Sequence, residues 1–164
     1  MATLKEDIKK ASAWTVTAFK ALGKNLDYSI ESLKLIDDVI DEQTQGGKPK
    51  SDGLLADGLG GKLFSFGSYI GETIIKNVKG SEWITNDKDP QGEITIQVKF
   101  SNGWAIWPVQ RVMKRLKNGS EDGIYVYGKV AVEEWSKGKE PNEKSDNKPA
   151  LDNNKNSWLQ FWKK

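Results

Sequence analysis

At 164 residues, with 25 Lys and Arg against 23 Asp and Glu, the chain suits one core and has no overall field that would select nucleic acid or an anionic membrane. It contains no His and no Cys, which removes the commonest general base, the usual zinc ligands, the thiolate nucleophile and any disulfide framework. Carboxylate pairs, Ser/Lys chemistry and oxygen-only cation sites remain open, and no apolar run reaches the ~18 residues that would cross a bilayer.

The first ten residues mix charges of both signs and do not read as a secretion signal, so a cytoplasmic protein is expected. Leu4, Ile8, Ala11, Trp14, Ala18 and Leu22 then recur every three or four positions, which predicts an amphipathic helix closed by Gly23. Glu6 and Asp7 near its start and Lys20 near its end suit the helix dipole. Ser29 reads as the N-cap of a second helix, with Leu33, Ile36, Val39 and Ile40 inward and an end near Glu42.

Residues Gln43 to Asp52 read as a polar loop, after which Leu59, Leu63, Phe66, Tyr69, Ile70 and Ile74 restore helical spacing through Val78. Gly60-Gly61 is expected to separate a short first turn from the main helix, because paired glycines are costly inside one. Gly67 and Gly71 share a face on which another part of the chain can approach closely, a packing role rather than a ligand site. Gly58-Leu59-Gly60-Gly61-Lys62-Leu63 lacks the spacing and the Ser/Thr of a phosphate loop.

Trp83-Ile84-Thr85 reads as a strand, and Glu93 to Phe100 alternates strictly, with Ile94, Ile96, Val98 and Phe100 on one face. Ser101-Asn102-Gly103 is a hairpin turn signal and Trp104 to Trp107 the returning strand, so a three-stranded antiparallel meander is expected. Pro108 starts a helix with Val109, Val112, Met113 and Leu116 inward, closed at Asn118-Gly119. From Glu121 to Trp135 the caps Ser120-Glu121-Asp122 favour a helix, whereas Ile124-Tyr125-Val126-Tyr127 favours a strand; the caps and the face Ile124, Tyr127, Ala131 and Trp135 decide for helix. Residues 136–157 are a polar linker with Pro141 and Pro149, followed by Trp158-Leu159-Gln160-Phe161-Trp162. Such an aromatic run is expected to dock in a groove of the same chain or of a second copy.

Three side-chain sets are candidates for function. Asp37, Asp38, Asp41 and Glu42 pair at i,i+4 spacing, which reads as a solvated helix face or as an acidic patch for a basic partner, with further metal ligands lacking. Arg111, Lys114, Arg115 and Lys117 form a basic set able to contact phosphates, although cations at a helix C-terminal half also answer the dipole. Of the seven tryptophans, Trp83, Trp104 and Trp107 fall on the sheet segments, where core packing competes with a stacking surface.

Leu26-Asp27-Tyr28-Ser29-Ile30-Glu31-Ser32-Leu33, then Gly67-Ser68-Tyr69-Ile70-Gly71-Glu72 and the strand at Trp83 resemble a widespread group of small bacterial domains of unknown function, over roughly residues 20 to 135. These domains look similar to immunity and accessory proteins of bacterial toxin systems, which lack catalytic residues, and the resemblance carries no site residues.

The expectation is an α+β domain over residues 1–135, a linker over 136–157 and an aromatic segment over 158–164. Its expected function is non-catalytic binding of another protein, such as a toxin that it neutralises. Asp37, Asp38, Asp41, Glu42, Trp104 and Trp107 would form the surface, with no cofactor, metal or membrane and with homo-oligomers through the tail. The alternative is a nucleic-acid-binding module using Arg111, Lys114, Arg115 and Lys117.

Overall fold

A computed structural model describes residues 2–138, so most of the expected linker and the whole aromatic run Trp158–Trp162 lie outside the described residues. The chain is an α+β fold in which N-terminal helices pack against a three-stranded antiparallel sheet and further helices. No helix among the described residues is long and apolar enough to cross a membrane.

Helix α1 (Leu4–Ala21) opens on a capping box: Thr3 Oγ1 accepts from Glu6 N, and the Glu6 carboxylate accepts from Thr3 N at 2.7 Å. Ser29 caps as expected, accepting from Ser32 N, but it starts a 3₁₀ turn (Ile30–Ser32) that leads into α2 (Leu33–Gln43). Tyr28, just before it, holds a φ of 61°, unusual for a residue other than glycine. Its N–H donates to Tyr69 Oη, its carbonyl accepts from Asn77 and its hydroxyl meets Ser12 Oγ. Those three contacts offset the backbone strain. Burial raises the pKa of the Tyr69 hydroxyl, against the opposing effect of its bonds to Ser32 and Tyr28.

The expected polar loop contains a small hairpin, β1 (Thr44–Gln45) paired with β2 (Lys48–Pro49). Gly46 and Gly47 both have positive φ, which a two-residue turn between twisted strands demands. Helix α3 (Leu59–Asn77) is buried nearly all round and forms the centre of the core. α1 covers one side, where Phe19 meets Phe66 edge-on at 5.4 Å.

The expected break at Gly60-Gly61 is absent, and both residues lie in the first turn of α3. First-turn N–H groups have no intrahelical partner to lose, and tertiary packing of Leu59 and Leu63 draws the turn into the helix. Gly61 is exposed, with open space where a Cβ would stand. Gly61→Ala is therefore expected to stabilise the fold by about 0.5 kcal/mol, read as a higher denaturant midpoint at unchanged slope.

Strands β3 (Glu82–Ile84), β4 (Gln97–Lys99) and β5 (Ala105–Ile106) form the expected antiparallel meander. The expected strand from Glu93 is shorter than the alternation suggested, because Gly92–Thr95 winds into a helical turn, α4. Asp89 causes this: its carboxylate accepts from Gln91 N at 2.9 Å and from Thr95 Oγ1 at 3.1 Å. Ile94, Ile96, Val98 and Phe100 are nonetheless all buried.

Helix α5 (Pro108–Asn118) has proline at its first position and lies against α3. Residues 119–122 form a 3₁₀ turn, and the last helix, α6 (Ile124–Glu133), starts later than its expected caps Ser120-Glu121-Asp122. Its N-terminus is capped by a residue from α2 instead.

Candidate functional site

That residue is Asp37. Its Oδ1 accepts from Ile124 N and its Oδ2 from Tyr125 N, both at 2.9 Å, so one carboxylate closes the start of α6. Arg115 of α5, only 3% exposed, completes the cluster. Its Nε donates to Asp37 Oδ1 at 2.8 Å and its Nη2 to Asp41 Oδ1 at 2.7 Å. Burial works against the charge on Arg115, but the hydrogen bonds to Asp41 and Asp37 outweigh it and raise its pKa above the ordinary arginine value.

The acidic and basic sets thus meet at Arg115, which holds Asp37 and Asp41, while Arg111 and Glu42 form their ion pairs outside the two sets. Arg111, also buried, donates to Asp122 at 2.9 Å and lies 4.4 Å over the Tyr127 ring. Glu42 pairs with Lys24 at 3.1 Å. Asp38 and Lys117 are exposed, and Lys114 is half-buried. The basic set therefore does not form one face: its two arginines are structural, and only the two lysines reach solvent. Asp41, Lys117 and the Gly46-Gly47 turn border a concavity of about 360 Å³.

The sheet offers a second candidate. Trp83, Val98 and Ile106 point inward and are buried, while Glu82, Ile84, Gln97, Lys99 and Ala105 look out. Ile84 lies opposite Gln97, and the β4–β5 register carried one residue on brings Trp107 opposite Gln97 from the other side. At the hairpin end, Asn102 Oδ1 accepts from Trp104 N at 2.9 Å and fixes the turn. Gln97, Asn102, Gly103, Trp104, Ala105 and Trp107 line an open depression of about 500 Å³. Trp104 and Trp107 are both half-buried there, whereas Trp83 lies in the core against Gly71.

The buried polar side chains among the described residues are Ser, Thr, Gln and Arg, with no buried carboxylate to face another across a cleft. Among those residues no group of three or more acidic side chains is placed to hold a metal ion. Ser65 Oγ is bound to the carbonyl of Gly61 within its own helix. Compared with protein-family models, curated proteins and solved structures, the chain matches none.

Proposed function

We propose that this chain is a non-catalytic protein-binding domain whose recognition surface is the open depression at the β4–β5 hairpin that Trp104 and Trp107 line. One observation carries the reading: two half-buried tryptophans share an open depression with Gln97 and Asn102, and exposed Ile84 adjoins it. Tryptophans that combine apolar area with an indole N–H donor are the usual anchors of protein interfaces. The acidic residues fit a secondary role. Asp37 is committed to Arg115 and α6, and Asp41 and Glu42 already carry ion pairs with Arg115 and Lys24, so exposed Asp38 with the solvent-facing sides of Asp41 and Glu42 would add only weak steering of a basic partner from another part of the surface. A toxin neutralised by stoichiometric cover is the partner class that the immunity-type resemblance adds.

Affinity capture from a lysate of the source organism tests this, with the wild-type chain beside the Trp104→Ala/Trp107→Ala variant. A protein recovered at near-equal stoichiometry, resistant to moderate salt and weakened about 30-fold or more in the variant, is the expected result. Recovery of nucleic acid alone, lost with salt, would replace the proposal with phosphate binding through Lys114 and Lys117. Equal recovery by both chains would remove the depression from the interface.

A further inference from the structure

Asn-Gly occurs twice in the chain, as Asn102-Gly103 in the turn between β4 and β5 and as Asn118-Gly119 where α5 stops. Such a pair carries a reaction of its own. The backbone nitrogen of the glycine and the side-chain Cγ of the asparagine are the two ends of a five-membered ring, and glycine has no Cβ to shield that nitrogen. The ring closes when the side chain turns its Cγ toward the nitrogen and the nitrogen gives up its proton. Hydrogen bonds to either group oppose closure.

The fold holds the two pairs differently. The Asn102 side chain is fixed at both ends: Oδ1 accepts from Trp104 N and Nδ2 donates to the Trp135 carbonyl, both at 2.9 Å. Gly103 N–H donates to the Phe100 carbonyl at 3.0 Å. Turning that side chain detaches the hairpin from Trp135, whose ring is buried and meets Tyr127 edge-on at 5.5 Å. At Asn118, by contrast, Nδ2 donates to Asp122 Oδ2 at 2.7 Å across a bond exposed to solvent. Gly119 N–H donates to the Arg115 carbonyl and closes the last turn of α5. Asn118 is itself exposed and is the last residue of α5, so releasing both bonds frays one helix end and asks no buried side chain to move.

We propose that Asn118 is a site of self-modification: in the folded protein it deamidates through a succinimide, while Asn102 is protected. Hydroxide takes the Gly119 N–H proton, and the nitrogen attacks Asn118 Cγ. The N–Cγ bond forms, the Cγ–Nδ2 bond breaks, and Nδ2 leaves as ammonia after taking a proton from water, which restores the hydroxide. Water then opens the ring at one of its two carbonyls, giving aspartate or isoaspartate. Overall one water is consumed and one ammonia released.

The product alters a defined corner of the molecule. A carboxylate replaces the amide that donated to Asp122, so two like charges face each other across the former hydrogen bond. Asp122 Oδ1 accepts from the buried Arg111, and the change therefore reaches that arginine through a single residue. It also adds a negative charge to the lining of the concavity that Asn118 shares with Asp41 and Lys117. The isoaspartate form lengthens the main chain by one methylene where α5 passes into the 3₁₀ turn.

Peptide mapping by mass spectrometry tests this on the full chain, incubated in mildly alkaline buffer well below its melting transition and, in parallel, in guanidinium chloride. In the folded chain Asn118 is expected to convert to aspartate and isoaspartate at least about tenfold faster than Asn102, because its reactive geometry needs a smaller opening. In denaturant the two rates should agree within about threefold, since opening no longer limits either. Asn118→Gln, whose ring would need a sixth atom, should abolish conversion at that position and leave Asn102 as slow as before. Equal rates at the two positions in the folded chain, or protection of both, would overturn the proposal. So would a preference for Asn118 that persists undiminished in guanidinium chloride, because it would then belong to the local sequence and not to the fold.

Discussion

Asp37→Ala is expected to destabilise the fold by about 3 kcal/mol, because one carboxylate serves two otherwise unconnected elements. Its loss uncaps the first turn of α6 at Ile124 and Tyr125, and caps of that kind are worth about 1 kcal/mol. It also leaves the buried guanidinium of Arg115 with Asp41, whose side chain is 64% exposed. Removing one partner of a buried pair costs several times the net worth of the pair, since the remaining charge stays desolvated. For a chain of this size the melting temperature should fall by roughly 10 °C.

Two controls separate that account from a general sensitivity of α2. Asp38→Ala, one position along on the exposed side, should change stability by less than about 0.5 kcal/mol. Arg115→Met made together with Asp37→Ala should lose less than the two single changes added, with a coupling above ~1 kcal/mol, because no unpaired charge is then left inside. An Asp37→Ala melt matching that of Asp38→Ala would show that the cluster does not carry the α2–α5–α6 junction.

Asp37 also marks the limit of what the linear pattern reveals. The i,i+4 acids and the basic face of α5 were legible as charged stripes, but Arg115 finds Asp37 across 78 positions and Ile124 finds it across 87. No local spacing encodes that meeting, so a junction in which Arg115 of one stripe takes Asp37 and Asp41 of the other reads as two separate surfaces. The same contact explains the ambiguity at Ile124-Tyr125-Val126-Tyr127. Side-chain propensity there leans to strand, and a carboxylate from another helix supplies the acceptors that start a helix instead. At Gly92–Thr95 the inward and outward alternation gave burial correctly while Asp89 changed the backbone path. The meander itself was legible because Asn102-Gly103 and the strand period agree. Trp104 and Trp107 stood out as sheet aromatics, yet their convergence on Gln97 needs the β4–β5 register, which is a property of the paired strands.

The close approach of helices to α3 sets the other large effect. At Gly67 an added Cβ would stand 2.5 Å from Val109 Cγ2, 2.7 Å from Val109 Cα and 2.8 Å from Val109 N. A side-chain tip can rotate away, but Cα and N are backbone, held directly after Pro108 at the start of α5. Gly67→Ala must therefore push α5 off α3, and about 3 kcal/mol of destabilisation is expected even after the roughly 1 kcal/mol that alanine gains in helix propensity. Adding Val109→Ala should recover only a minor part, because it removes the Cγ2 overlap and leaves the backbone ones. Gly71 differs in kind: its added Cβ meets the ring of Trp83, which can swing outward at the cost of its own burial. Gly71→Ala should thus raise Trp83 exposure, seen as a red-shifted emission component that is absent in Trp83→Phe. If Gly67→Ala melts at the wild-type temperature, α5 is free to shift along α3, and the Arg115–Asp37 junction that α5 carries would have to tolerate that movement as well.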